Sequence, residues 1–94
     1  MYYNENTTIF FNGEFIKVKE IPVSIFNQTM HYGNGVFEGI RAYDTPKGVQ
    51  IFKAKEHYDR LHYSAKVMHI NLSNSSSELE QISYNEIAVI MEWK

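Results

Sequence analysis

His31-Tyr32-Gly33-Asn34-Gly35-Val36-Phe37-Glu38-Gly39-Ile40-Arg41 holds three of the chain's five glycines. Glycine tolerates positive φ and lets another group approach the backbone, so such a cluster marks a tight turn or a ligand-facing loop. Val36 to Tyr43 is rich in β-branched and aromatic residues and predicts a strand leaving that turn. A glycine turn feeding a strand that carries Phe37-Glu38-Gly39 reads as one wall of a pocket.

Working outward, the stretch lies between two hairpin signals. Upstream, Asn12-Gly13 separates β-type runs at 8–11 and 14–18; both turn positions need φ > 0, which Asn and Gly supply. Pro22 lacks a backbone donor, so residues 19–25 read as a connector or edge. Downstream, Asp44-Thr45-Pro46-Lys47-Gly48 is a turn that returns the chain through Val49-Gln50-Ile51-Phe52. From Ala54 the period becomes helical, with Tyr58, Leu61, Ala65 and Met68 in one apolar stripe. Ser75 and Glu78 have capping-box spacing ahead of a second helix over 76–93. Its stripe of Leu79, Ile82, Ile87, Ile90 and Trp93 is interrupted by Ser83 and Glu86. The expected class is α+β: a mainly antiparallel sheet with two helices packed on it.

Composition narrows the function. At 44% hydrophobic and 15% aromatic residues, the 94-residue chain has material for the core of one small domain. A net charge of −2 and no run of cations beyond two give no footprint for nucleic acid. With no cysteine, disulfides and thiolate metal sites are excluded, which fits a reducing, cytoplasmic setting. The N-terminus lacks a signal-peptide pattern, and no apolar run reaches the ~20 residues of a membrane span. The chain stops inside an apolar segment, Ile87 to Lys94, without a helix stop signal, and so reads as part of a longer protein.

Spacing then sorts the candidate chemistry. Gly33, Gly35 and Gly39 form G-x-G-x-x-x-G, one residue longer than the dinucleotide fingerprint, and a strand rather than a helix follows. His57 and His62 lie about 140° apart on a helix, which is not a shared metal face. Arg60 points about 115° from the centre of its helix's apolar stripe. On that flank it can offer a planar fork to a phosphate or carboxylate, or form an ordinary surface ion pair. Tyr32 and Phe37 are each either a core aromatic or a ligand wall, with core the commoner fate for strand aromatics.

Two motifs resemble a known family. Tyr32-Gly33-Asn34-Gly35-Val36-Phe37-Glu38-Gly39-Ile40-Arg41 is similar to the Y-G-x-x-V-F-E-G-I-R signature of branched-chain amino acid aminotransferases, fold-type IV enzymes that use pyridoxal phosphate (PLP). Glu56-His57-Tyr58-Asp59-Arg60-Leu61-His62-Tyr63-Ser64-Ala65-Lys66 is similar to that family's E-H-x-x-R-L-x-x-S-A-K helix. Phe11-Asn12-Gly13-Glu14-Phe15 matches its opening hairpin, and the likeness runs from Thr8 to Leu79.

The resemblance implies that residues 1–94 are the small N-terminal domain of such an enzyme, which moves the amino group of leucine, isoleucine or valine to 2-oxoglutarate. It implies that Arg60 holds the cofactor phosphate. Phe37 and Gly39 would line the pocket for the branched side chain, and Tyr32 would reach the neighbouring subunit's site in a homodimer or larger assembly. The Schiff-base lysine matches none of Lys17, Lys19, Lys47, Lys53, Lys55, Lys66 or Lys94 and would belong to the large domain, so this chain alone would be inactive. D-amino acid aminotransferases, aminodeoxychorismate lyases and a non-catalytic domain of the same fold stand as alternatives; Phe37-Glu38-Gly39-Ile40-Arg41 favours the branched-chain group.

Overall fold

Residues 4–27 and 32–92 are described by a computed structural model, with side chains through Val89. His31, Trp93 and the side chain of Ile90, all used in the sequence reading, lie outside the described set.

Strand β1 (Thr8–Phe11) pairs antiparallel with β2 (Glu14–Lys17) in the register Ile9↔Ile16 and Phe10↔Phe15. The turn between them takes φ 49° at Asn12 and 92° at Gly13, the left-handed pair that this hairpin requires. Phe10 and Phe15 meet edge to face across the strands, 5.1 Å between ring centres. After β2 the chain makes one 3-10 turn, Val18–Glu20, and runs on irregularly past Pro22, the expected connector.

The second ribbon is β3 (Ala42–Thr45) against β4 (Gly48–Ile51), also antiparallel. Its loop is Pro46-Lys47, closed by Thr45 Oγ1, which accepts from the Lys47 N–H at 3.2 Å and donates to the Gly48 carbonyl at 2.7 Å. Among the described residues the two ribbons form separate two-stranded sheets rather than one continuous sheet. The strand expected over 36–43 enters a ladder only from Ala42. Pairing reaches back as far as the Phe52 N–H, which donates to the Arg41 carbonyl at 2.8 Å. Beyond that point β4 has given way to a helix, so residues 36–40 run extended beside a helix instead of a strand.

That helix is α1 (Ala54–Val67), and it buries Ala54 and Ala65. Tyr58 and Leu61 lie half-buried on the same stripe, whereas Met68 falls one residue past the helix end and is exposed. The helix closes in a Schellman arrangement: the Ile70 N–H donates to the Ala65 carbonyl at 2.8 Å and the His69 N–H to the Lys66 carbonyl at 3.2 Å. His69 takes the left-handed conformation (φ 57°) that glycine usually fills there.

Helix α2 (Ser76–Glu92) begins in the expected capping box. The Glu78 N–H donates to Ser75 Oγ, and the Ser75 N–H donates to Glu78 Oε1, each at 3.1 Å. It packs on α1 and β1. Here the interruption at Ser83 gains its reason. Ser83 Oγ donates to the Leu79 carbonyl at 2.8 Å, so its remaining lone pair accepts from the Tyr58 hydroxyl across the helix pair. One residue on, the Tyr84 hydroxyl accepts from the Ile51 N–H at 3.0 Å and ties β4 to α2. Glu86 is half-buried in a cleft with Arg41, Ile51, Tyr58 and Ile87, where burial pushes its carboxyl pKa up.

Candidate functional site

From Asn34 onward the glycine stretch lies beside α1 with no regular secondary structure, and its exposure alternates residue by residue. Asn34, Val36, Glu38 and Ile40 are half-buried, while Gly33, Gly35, Phe37 and Gly39 are exposed. An extended chain points successive side chains to opposite faces, so the motif has an inner row and an outer row. Phe37 and Gly39, predicted as pocket lining, share the outer row. Phe37 is 89% exposed and Tyr32 81%, so neither takes the core role that strand aromatics ordinarily have. A Cβ on Gly39 would meet nothing within 4 Å, so among the described residues no atom requires glycine there. Gly33 is different: its φ of 62° is a backbone need.

The inner row delivers Glu38 to helix α1. Its carboxylate accepts from Arg60 Nε at 2.8 Å (Oε2) and from Arg60 Nη2 at 2.7 Å (Oε1), a two-point fork. His57 Nδ1 lies 2.7 Å from the same Oε1. Arg60 and His57 are three apart on one helix face, which is why one carboxylate can reach both. The carboxylate is 10% exposed, His57 19% and Arg60 64%.

Those contacts set the protonation. The Arg60 hydrogen bonds, and after them the His57 hydrogen bond, hold the Glu38 carboxyl down at about 2, so it is ionised at neutral pH. An ionised carboxylate only accepts, so His57 carries its proton on Nδ1 and donates. The 3.3 Å approach of Arg60 Nη2 to that nitrogen is then a donor beside a donor, brought close because both bond the same oxygen. Pairing with Glu38 raises the guanidinium pKa, and Arg60 is a permanent cation.

The fork uses the Nε side of the guanidinium. No described residue takes Nη1, so the end edge, Nη1 with the outer hydrogen of Nη2, is available to an anion. The flank placement expected for Arg60 is thus observed, and its ion pair and its capacity for an anion coexist on different edges. Glu38 and His57 were not singled out from the sequence as members of this site. The signal was present: an acidic residue alternating with outward Phe37 and Gly39, and a histidine three before the arginine.

The cavities among the described residues do not bring the predicted residues together. A cavity of about 420 Å³ opens beside Gly35, Val36, Leu61, Ala65 and Leu72, without Tyr32, Phe37, Gly39 or Arg60 on its lining. His62, five residues from His57, faces another cavity with Tyr63, Lys66 and Ile70. Among the described residues, no three His, Asp or Glu side chains come together as a metal site. None of the helices among them is long and apolar enough to cross a membrane.

No protein-family model matches the chain. Among curated proteins, it is 41% identical over 73 residues to the branched-chain-amino-acid aminotransferase of Pseudomonas aeruginosa, covering 78% of this chain and 24% of that protein. It is 45% identical over 71 residues to the Escherichia coli protein of the same name, covering 76% of this chain and 23% of that one. Among solved structures, a T.th. branched-chain amino acid aminotransferase complexed with N-(5'-phosphopyridoxyl)-L-glutamate aligns at a TM-score of 0.81 and 40% identity, over 88% of this chain and 28% of that one. The E. coli enzyme aligns at 0.73 and 43%, over 79% and 24%.

In fold and in sequence the chain is similar to fold-type IV aminotransferases. The relatives it matches are branched-chain amino acid aminotransferases, to which it is homologous, and it spans about a quarter of their length.

Proposed function

We propose that the chain is the small domain, residues 1–94, of a PLP-dependent branched-chain amino acid aminotransferase, supplying one side of its active site. The observation that carries this is the 0.81 alignment to an enzyme whose complex holds a phosphopyridoxyl-glutamate. The residues present fit the phosphate end of PLP. Arg60 offers an exposed, permanently charged edge with two convergent donors, the geometry that a phosphate takes bidentately.

In this reading Arg60 binds and orients the phosphate. Phe37 and Gly39, together on the outer row, face the substrate's aliphatic side chain, the glycine leaving room where any side chain would intrude. Tyr32 reaches the site of a neighbouring subunit in a homodimer. PLP, when bound, supplies the electron sink that lets an amino group move from leucine, isoleucine or valine to 2-oxoglutarate. The lysine that carries PLP is supplied by the large domain, and the enzyme works in the cytoplasm. An apolar wall discriminates by only about 1–3 kcal/mol per methylene, which suits acceptance of all three amino acids.

The full-length gene product should show PLP absorbance and leucine-dependent formation of glutamate from 2-oxoglutarate. Arg60→Ala should weaken PLP binding by roughly ten- to a hundredfold, the worth of a lost charge-assisted pair. Failure of the wild-type protein to bind PLP overturns the reading.

A further inference from the structure

We propose that Glu38 is a positioning residue: it fixes the Arg60 guanidinium so that its end edge is presented to a phosphate monoester. The inference rests on the reading of Arg60 as the phosphate ligand and assigns a role to a residue which that reading leaves idle.

The geometry has three parts. Arg60 is 64% exposed, so its packing alone does not hold the long side chain in one rotamer. Glu38 is 10% exposed and is itself fixed, because His57 Nδ1–H donates to the Oε1 that also receives Arg60 Nη2. Its two-point contact through Nε and Nη2 sets the plane of the guanidinium as well as its place.

Glu38 also sits between Phe37 and Gly39 on the same extended segment, one side chain inward and its neighbours outward. The contact therefore ties the phosphate-side helix to the segment proposed to face the substrate. Moving Glu38 moves the distance between the two ends of the site.

A competing role for the carboxylate has the opposite sign. If Glu38 acted only as a countercharge, it would weaken anion binding, and removing its charge would tighten it. If it positions, removing the fork returns rotamer freedom to Arg60, which the phosphate must then quench at a cost of about two- to tenfold in affinity.

The test uses full-length protein and two probes, PLP and pyridoxal, whose affinity ratio isolates the phosphate. Both probes react with the same lysine, so that contribution cancels. Glu38→Gln keeps the length but gives up the charge and one acceptor, whereas Glu38→Asp keeps the charge and shortens the reach. Both should lower the PLP-to-pyridoxal ratio by about two- to tenfold.

Inorganic phosphate should compete correspondingly less well in each variant. A ratio raised in Glu38→Gln and unchanged in Glu38→Asp overturns the positioning role while leaving Arg60 as the phosphate ligand. A wild-type ratio near one overturns the phosphate reading and this inference with it. If Glu38→Gln does not fold, the Glu38→Asp ratio decides the question, because only a positioning role makes it fall.

Discussion

Glu38 has the most perturbed titration at the site, and its sign gives a direct readout. Its folded pKa of about 2 lies below the ordinary 4.5, because Arg60 and then His57 bond the ionised form. A depressed carboxyl contributes stability that is fully present above the unfolded value and is lost as pH falls through the folded one. The stability difference between wild type and Glu38→Gln should therefore be largest above about pH 4.5 and shrink towards about pH 2. Urea midpoints across that range check it; the shifts at Asp59, Glu78 and Glu86 are common to both proteins and cancel in the difference. Gly39 gives a complementary test. Since a Cβ there meets nothing within 4 Å, Gly39→Ala should change stability by no more than about 0.5 kcal/mol while raising KM for leucine severalfold. Loss of folding would show that the glycine serves the backbone instead of the substrate.

Among the elements, α2 was the most fully legible at its start and the least along its length. The serine and glutamate three residues apart declared a reciprocal cap, and both bonds are present. Ser75→Ala should cost about 1 kcal/mol in the intact protein, read as a lowered urea midpoint with an unchanged slope. The polar positions along the helix were legible only as interruptions. Ser83 accepts from a tyrosine on α1, and Glu86 lines a cleft together with Arg41. Such partners are set by how two helices cross, which no period in one helix encodes. The segment 36–41 shows the same limit. β-Branched and aromatic residues favour an extended backbone, and it is extended, but a ladder needs a partner strand and the neighbour here is α1.

For the molecule as a whole, the thin interior is the governing fact. Only Ala54 and Ala65 are buried among the described residues, while Val23, Ile25, Phe26, Phe37, Phe52 and others stay open to water. Exposed apolar side chains in that number seek cover. The 94-residue chain produced alone should therefore self-associate and show no aminotransferase activity. Light scattering at high concentration checks the first part, and a clean monomer there would count against it.

Local chemistry was written in the sequence: the Asn12-Gly13 turn, the helix from Ala54, the Ser75–Glu78 cap, and Arg60 on a helix flank all follow from short-range sterics and periodicity. The two motifs around Phe37 and Arg60 also carried the family likeness, because residue order alone is enough for that. What Arg60 touches was decided by tertiary structure. Glu38 stands 22 positions away in the chain, and only the docking of an extended segment against α1 brings its carboxylate onto the fork. The same docking sorted the glycine stretch into an inner row that holds the arginine and an outer row left open. Facing depends on which side of a segment finds a neighbour, and a sequence names its residues without naming that neighbour.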